Sequence, residues 1–370
     1  MKDLYRQYRK QHIWLLGALV SLGAFRLLRG QRGLMNALER WIIAPLRRLL
    51  GWVCYQAPFS VMELLGVLLV LAAAGYLLWS IAAVVRGAGQ RRRRAYQAVL
   101  GAVCGGLTLW SACCWMWGIS HWTDSFQDRS GIRAQPVALE DLRAVTAYFA
   151  ARVGETAGQV KRDEKGLFAV PREEILDASV QAYDGLEDAF PFLSFEDPGV
   201  KPLAFSRLLS SLDFTGFYCA FTGESNVNVD SPACMLPATA AHELAHQRGY
   251  GSEQECNFLS VLASTTCGEP AYVYSGWLIG YVYLGNALYP KDPESYLAIR
   301  DTLPETARLD LAYNNAYWAQ FRDTAARRAS NRIYDGILKQ YGDQRGMQSY
   351  GAAVDLLVAY YREAAGREKF

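Results

Sequence analysis

This chain has few histidines, no large excess of basic charge and no cysteine pair at metal-binding spacing. Only His12, His121, His242 and His246 occur in its 370 residues. Lysine and arginine number 38 against 36 aspartates and glutamates, and no basic stripe interleaved with aromatics crosses the second half. That balance argues against a nucleic-acid binder, which needs a strong positive footprint. The eight cysteines include no C-x-x-C pair, so a cysteine-ligated zinc site is not expected. Charge is missing from long stretches as well: 95–119 has none, and Pro58–Val85 has only Glu63.

Two of the four histidines fall in one pentapeptide, His242-Glu243-Leu244-Ala245-His246. It has the H-E-x-x-H form that zinc hydrolases place on a helix. Residues four apart share a helical face, so both imidazoles can address one ion, with Glu243 beside it as general base. Upstream, Pro237 suits a first helical turn and the alanines after it favour propagation. Downstream, Gly249 and Gly251 flank Tyr250 and end the helix just past His246, allowing left-handed backbone. A second helix is expected from Ser252, carrying Phe258, Leu259, Val261 and Leu262 toward a core. The corner between the two helices can return a third ligand to the metal.

Glu253 and Glu255 compete for that role. Ser252 followed three residues later by Glu255 is a capping-box pattern, which gives Glu255 a structural task. Glu253 has no such alternative and is favoured, with Glu255 in reserve. Asn257, one turn beyond Glu253, is a candidate to hold a ligand histidine by its other ring nitrogen. Tyr250 reads as packing.

His242 to Gly249, followed by Glu253, Glu255 and Asn257-Phe258, resembles the signature of a bacterial membrane-protein family catalogued as domain of unknown function 3810. The segment Phe221-Thr222-Gly223-Glu224-Ser225-Asn226-Val227-Asn228 is similar to that family's approach to the helix. So is the tail with Lys339, Ser349-Tyr350-Gly351 and Leu356-Leu357. Cys256 stands where alanine is usual. The resemblance implies hydrophobic N-terminal spans followed by a zincin-like domain. A glutamate with aspartate or asparagine four residues later further resembles the third-ligand helix of gluzincin peptidases, which again selects Glu253.

Three stretches are candidate membrane spans: 13–28, 58–85 and 95–119. The first has the basic start and apolar core of a signal peptide, but Phe25-Arg26-Leu27-Leu28 lacks a small-residue cleavage site. Arg86 and Arg91–Arg94 mark the link between the second and third spans as cytoplasmic, and Lys2, Arg6, Arg9 and Lys10 place the N-terminus there too. Residues 121–370 are then extracytoplasmic. The segment 29–56 conflicts with this, because it carries Arg29, Arg32, Arg40, Arg47 and Arg48 outside. Trp41, Ile42, Leu46, Leu49, Leu50 and Trp52 beside them suggest a segment lying along the interface. Residues 271–289 are uncharged but rich in glycine and tyrosine; a buried helix is favoured over a fourth span.

The expected fold class is α+β: a mostly helical, zincin-like metalloprotease domain over 121–370, behind a bundle of transmembrane helices over 1–120. Helices are expected at 139–152, 171–184, 306–329, 331–340 and 350–365. Phe217–Val229 alternates like two strands around a Thr222-Gly223-Glu224 turn. Its Asn226, Val227 and Asn228 are candidates to pair with an extended substrate along a strand edge. Cys219, Cys234, Cys256 and Cys267 leave room for one or two disulfides in an oxidising compartment.

These features together suggest a membrane-anchored metallopeptidase of the cell membrane, with one Zn2+ ion and a fourth position left for water. Its partners are the lipid bilayer and a peptide or cell-envelope substrate. A membrane sensor or envelope-interaction protein with a non-catalytic zinc is the alternative, and an intramembrane protease ranks last.

Overall fold

A computed structural model describes residues 2–196, 198–341 and 353–367. Ser349-Tyr350-Gly351 and the start of the helix expected at 350 lie outside the described residues. The chain is mostly helical and divides into two units. One comprises 1–50, 61–123 and 220–222; the other comprises 51–60, 124–219 and 223–370.

The first unit holds three helices long and apolar enough to cross a membrane: α1 (Arg9–Leu28), α3 (Val61–Val85) and α4 (Arg91–Met116). Between α1 and α3 runs α2 (Ala44–Cys54), whose last residues belong to the second unit. Polar pairs join α1 to α4. The Trp14 indole N–H donates to Thr108 Oγ1 at 2.8 Å, and the Ser21 and Ser111 hydroxyls meet at 2.7 Å. Such bonds join helices where lipid offers polar groups no alternative partner. The arginine-rich 29–56 segment is mainly helical, and Trp41, Ile42, Leu49 and Trp52 are exposed along it. Arg47 is buried instead, bonded to Glu39, the Met116 carbonyl and Ser120. One of the five discordant arginines is thus neutralised within the protein.

The second unit is built on helices around one apolar core. Here α5 (Phe126–Ser130) precedes α6 (Leu139–Thr156), which packs on α9 (Pro270–Leu288). Gly280 permits that approach, because a Cβ there would meet the Phe149 ring at 2.3 Å. With Tyr272, Tyr274, Leu278 and Tyr281 buried, α9 is a core helix, and it is not among the candidate spans. The helix expected at 171–184 stops at Ala178 and continues as short 3-10 turns. The helix expected at 306–329 is two, α10 (Glu305–Ala319) and α11 (Ala325–Gln340). The break falls where the Thr324 side chain accepts the Arg327 N–H and starts a new helix. α12 (Ala353–Arg367) closes the described chain. All eight cysteines are free, so neither of the disulfides the sequence leaves room for is present.

A three-stranded sheet runs in the order β1 (Val200–Pro202), β3 (Glu224–Val227), β2 (Gly216–Cys219). The β1–β3 pairing is parallel and the β2–β3 pairing antiparallel. Gly223 turns the hairpin with a φ of 65°. One sheet face meets α7 (Leu236–Gln247), onto which the Ser225 hydroxyl donates at the Glu243 carbonyl, 3.0 Å away. Residues 51–60 cover the other face. There Lys201 Nζ donates to Glu224 at 2.7 Å and to the carbonyls of Cys54 and Phe59 at 2.8 and 2.9 Å. The Tyr55 hydroxyl bridges the Gly199 carbonyl and the Ser225 amide at the start of the β1–β3 ladder.

Lys201 and Glu224 are both buried, so removing one partner strands a charge in the interior. Lys201→Met is expected to destabilise the second unit by about 3–5 kcal/mol. Guanidinium unfolding of the detergent-solubilised chain checks this, and an unshifted midpoint would show that the pair holds nothing together.

Candidate metal centre

The site arises where two helices meet at a corner. α7 ends at Gln247, and Gly249 takes a φ of 95°, which lets the chain reverse into α8 (Glu253–Thr266). His242 and His246, one turn apart on α7, then face Glu253 in the first turn of α8. The two Nε2 atoms lie 3.1 Å apart, with Glu253 oxygens 3.3 Å from His242 Nε2 and 3.6 Å from His246 Nε2. Among the described residues this is the group of three or more histidine, cysteine or acidic side chains arranged to hold a metal ion.

Three features test whether these residues fit a zinc ion. Tetrahedral zinc with bonds of 2.0–2.2 Å separates its ligand atoms by about 3.3 Å, close to the separations found here. Glu253 Oε2 is buried without a hydrogen-bond partner, and a bound cation would satisfy it. His246 Nδ1 meets the Tyr250 carbonyl at 2.8 Å; with the proton on Nδ1, the lone pair is on Nε2, facing the cluster. The donor set fits.

The electrostatics follow from burial. Burial alone would raise the Glu253 carboxyl, yet His246 and His242 hold it well below the usual carboxylate range. Burial opposes charge on His246, and the Glu253 carboxylate outweighs it, raising that imidazole well above its ordinary value. We assign this rise to Glu253 rather than to Cys256. The Cys256 thiol touches His246 Nδ1 at 3.2 Å, but burial pushes it up to about 11, so it is neutral at pH 7. Glu243 is displaced the other way. Burial raises its carboxyl, with Glu253 adding to the rise, while His242, His246 and the Tyr218 backbone amide pull it back. A carboxyl raised above its ordinary value is better suited to hold a proton and release it again.

The two glutamates of α8 separate clearly. Glu255 accepts the amides of Phe126 and Gln127 at 3.0 and 3.1 Å and the Gln127 side-chain amide at 3.3 Å, so it serves the N-terminus of α5. The expected capping box is absent: Ser252 stands at the helix start without a side-chain cap bond. Asn257 is not bonded to a histidine. Its Oδ1 accepts the Tyr283 hydroxyl at 3.0 Å, and the Tyr250 carbonyl takes the role expected of it.

Asn226, Val227 and Asn228 also lie elsewhere than expected. Asn226 and Val227 belong to the central strand, paired on both sides, and all three residues are buried. The Asn228 side chain instead donates to Ser210 and to the Phe214 carbonyl. The edge strands of the sheet are β1 and β2. Because the Asn228 amide donates to the Thr215 carbonyl, antiparallel alternation turns the Gly216 and Tyr218 backbone groups away from β3. The Tyr218 amide is the one that meets Glu243, so this edge runs beside the H-E-x-x-H helix.

Two side-chain positions gave no sign of themselves in the sequence. The Tyr334 hydroxyl, on α11, donates to Glu253 Oε1 at 2.6 Å, and its ring packs edge-on against Phe214 at 5.5 Å. Nothing in the pattern of α11 distinguishes that tyrosine. Gly216 is the second: a Cβ there would lie 2.4 Å from Glu243 Oε1, so the carboxyl fits only because the position is glycine.

The structure therefore defines a mostly helical protein with three helices long and apolar enough to cross a membrane and a His-His-Glu cluster in which His246 and Glu253 are buried. The chain belongs to the family described as protein of unknown function (DUF3810), whose model matches residues 35–358. No curated protein and no solved structure matches it.

Glu253→Ala is expected to abolish stoichiometric zinc binding, read by elemental analysis of the purified chain. Glu255→Ala is expected to keep zinc and to cost about 1–2 kcal/mol of stability, because two α5 amides lose their acceptor. Zinc loss from the second variant but not the first would reverse the two roles.

Proposed function

We propose that the chain is a membrane-anchored zinc metallopeptidase. The observation that carries this is the convergence of His242, His246 and Glu253, with Glu243 buried beside them. Three protein ligands leave a coordination position for water, which favours a catalytic site over a closed, non-catalytic one. A zinc ion held there supplies the charge that makes water nucleophilic near neutral pH.

The chain's own groups do the remaining work. Glu243 takes the proton of that water on its carboxylate as the water adds to a peptide carbonyl, then hands it to the departing amine. The outward backbone groups of Gly216, beside Glu243, offer an extended polypeptide a point for strand addition. Tyr334 fixes the Glu253 carboxylate through its hydroxyl.

The topology supports an extracytoplasmic site. Residues 51–60 and 124–219 belong to one unit, while α3 and α4 run out and back between them. Both stretches thus share a side of the membrane. The arginines at 91–94, on the opposite turn, mark that turn as cytoplasmic.

Glu243→Gln is expected to retain zinc and to lower hydrolysis of a quenched peptide library by about 10²–10⁴-fold. Turnover equal to wild type at equal zinc content would exclude the proposed role. Gly216→Ala should displace the Glu243 carboxyl, reducing turnover by about 10²-fold with zinc retained; unchanged turnover would show that the carboxyl tolerates the shift.

A further inference from the structure

The His-His-Glu cluster is shut in. The side chains of His242, His246 and Glu253 are 14 %, 7 % and 2 % exposed, and Glu243 is buried beside them. A scissile carbonyl has to come within about 3–3.5 Å of the attacking water, with polypeptide on both sides of it. Side chains this enclosed leave no berth for that polypeptide. Whatever covers the cluster must therefore move before a substrate is bound.

Three helices reach the cluster, and they are held very differently. α7 and α8 supply many residues to the apolar core of the second unit, whereas among the described residues of that core none comes from α11. Leu338 is the buried residue of α11, and Ile333 is 66 % exposed. One face seats this helix instead. Arg327, Asn331 and Tyr334 follow one another at i, i+4 and i+7, which aligns them along one side. Arg327 Nε and Asn331 Nδ2 donate to Asp213 Oδ2 at 2.7 and 3.2 Å. The Tyr334 hydroxyl donates to Glu253 Oε1 at 2.6 Å, and its ring meets Phe214. An element with few buried apolar contacts, held by polar groups near the surface, opens at far less cost than the core. The receiving residue is itself strained: Asp213 takes a φ of 71°, in the left-handed region that non-glycine residues avoid. The turn at 320–324 before α11 is pinned, because Arg207 donates to Gln320 at 2.6 Å and lies over the Phe321 ring. α10 behind it is fixed through buried Asp310, so α11 can turn about 320–324 while α10 stays in place.

We propose that α11 is a lid on the His-His-Glu cluster, latched by Tyr334 on Glu253 and by Arg327 and Asn331 on Asp213, and that it turns away to admit a polypeptide. Closed, Tyr334 occupies Glu253 Oε1 and leaves Oε2, 3.3 Å from His242 Nε2, for a metal ion. Open, the lid uncovers Phe214 and the cluster together. Admission of a polypeptide rests on the peptidase reading; the lid over a metal centre does not.

The experiment uses the full zinc-loaded chain in detergent and times zinc release to an excess of the chelator pyridylazoresorcinol. Arg327→Met removes a latch that touches none of the three metal ligands, and Tyr334→Phe removes the one that does. Both variants are expected to release zinc faster, Arg327→Met by about fivefold, the factor by which losing a partly exposed ion pair favours opening. A wild-type rate in Arg327→Met overturns the lid and leaves Tyr334 as a residue that only orients Glu253. Hydrogen exchange gives a second reading that needs no metal. Amides of α11 are expected to exchange faster than those of α7 and α8, and faster again in Arg327→Met; protection equal to α7 and α8 overturns the lid. On the same samples, kcat/KM for a quenched peptide library is expected to rise in Arg327→Met with the open fraction. Cleavage that does not rise overturns the admission step. Faster zinc release with no cleavage by any form sustains the lid and counts against the peptidase reading alone.

Discussion

A carboxylate buried between two imidazoles is the constraint around which the second unit is arranged. Glu253 is shut away from water, and an ionised carboxyl survives there only if fixed groups replace its hydration. His242, His246 and the Tyr334 hydroxyl are those groups. They come from α7 and α11, so the charge of one residue sets the placement of three helices. The Gly249 reversal and the His246–Tyr250 contact belong to the same requirement, because they bring the first turn of α8 back onto the end of α7.

Other buried charges in this unit follow the same rule. Arg162 and Asp310 pair at 2.9 Å, and Asp310 also accepts the Tyr274 hydroxyl and the Phe168 amide. Such pairs add little net stability over apolar residues of the same shape, yet leaving one half unpaired is costly. Their effect is to fix which segments meet. Arg162 ties the loop after α6 to α10, as Lys201 ties residues 51–60 to the sheet.

The sequence revealed the parts of this site that rest on local spacing. The i, i+4 histidines, the glycine corner and the preference for Glu253 over Glu255 all follow from residues within a few turns of one another. Glu255 was set aside as a cap, and it is one, but for α5, whose amides lie 129 and 128 residues away in the chain. No local pattern carries that partner. The strand edge was misplaced for a related reason: β1 spans three residues without alternation, so the parallel neighbour that makes β3 central is invisible. Tyr334 and Gly216 act through tertiary contacts alone. The break at 320–324 lay hidden in a stretch whose composition suits helix throughout, and the Thr324 side-chain cap decided it.

The central strand links the 51–60 segment to the H-E-x-x-H helix. Along β3, Ser225 points to α7 and bonds the carbonyl of Glu243, while Glu224 points to the other face and holds Lys201. A shift of one residue in β3 would exchange these faces. It would strand Lys201 and remove the contact beneath Glu243 in a single step. The register of four residues thus fixes both the seating of the 51–60 segment and the placement of the H-E-x-x-H helix. Seating of the 51–60 segment and assembly of the cluster are consequently one structural event.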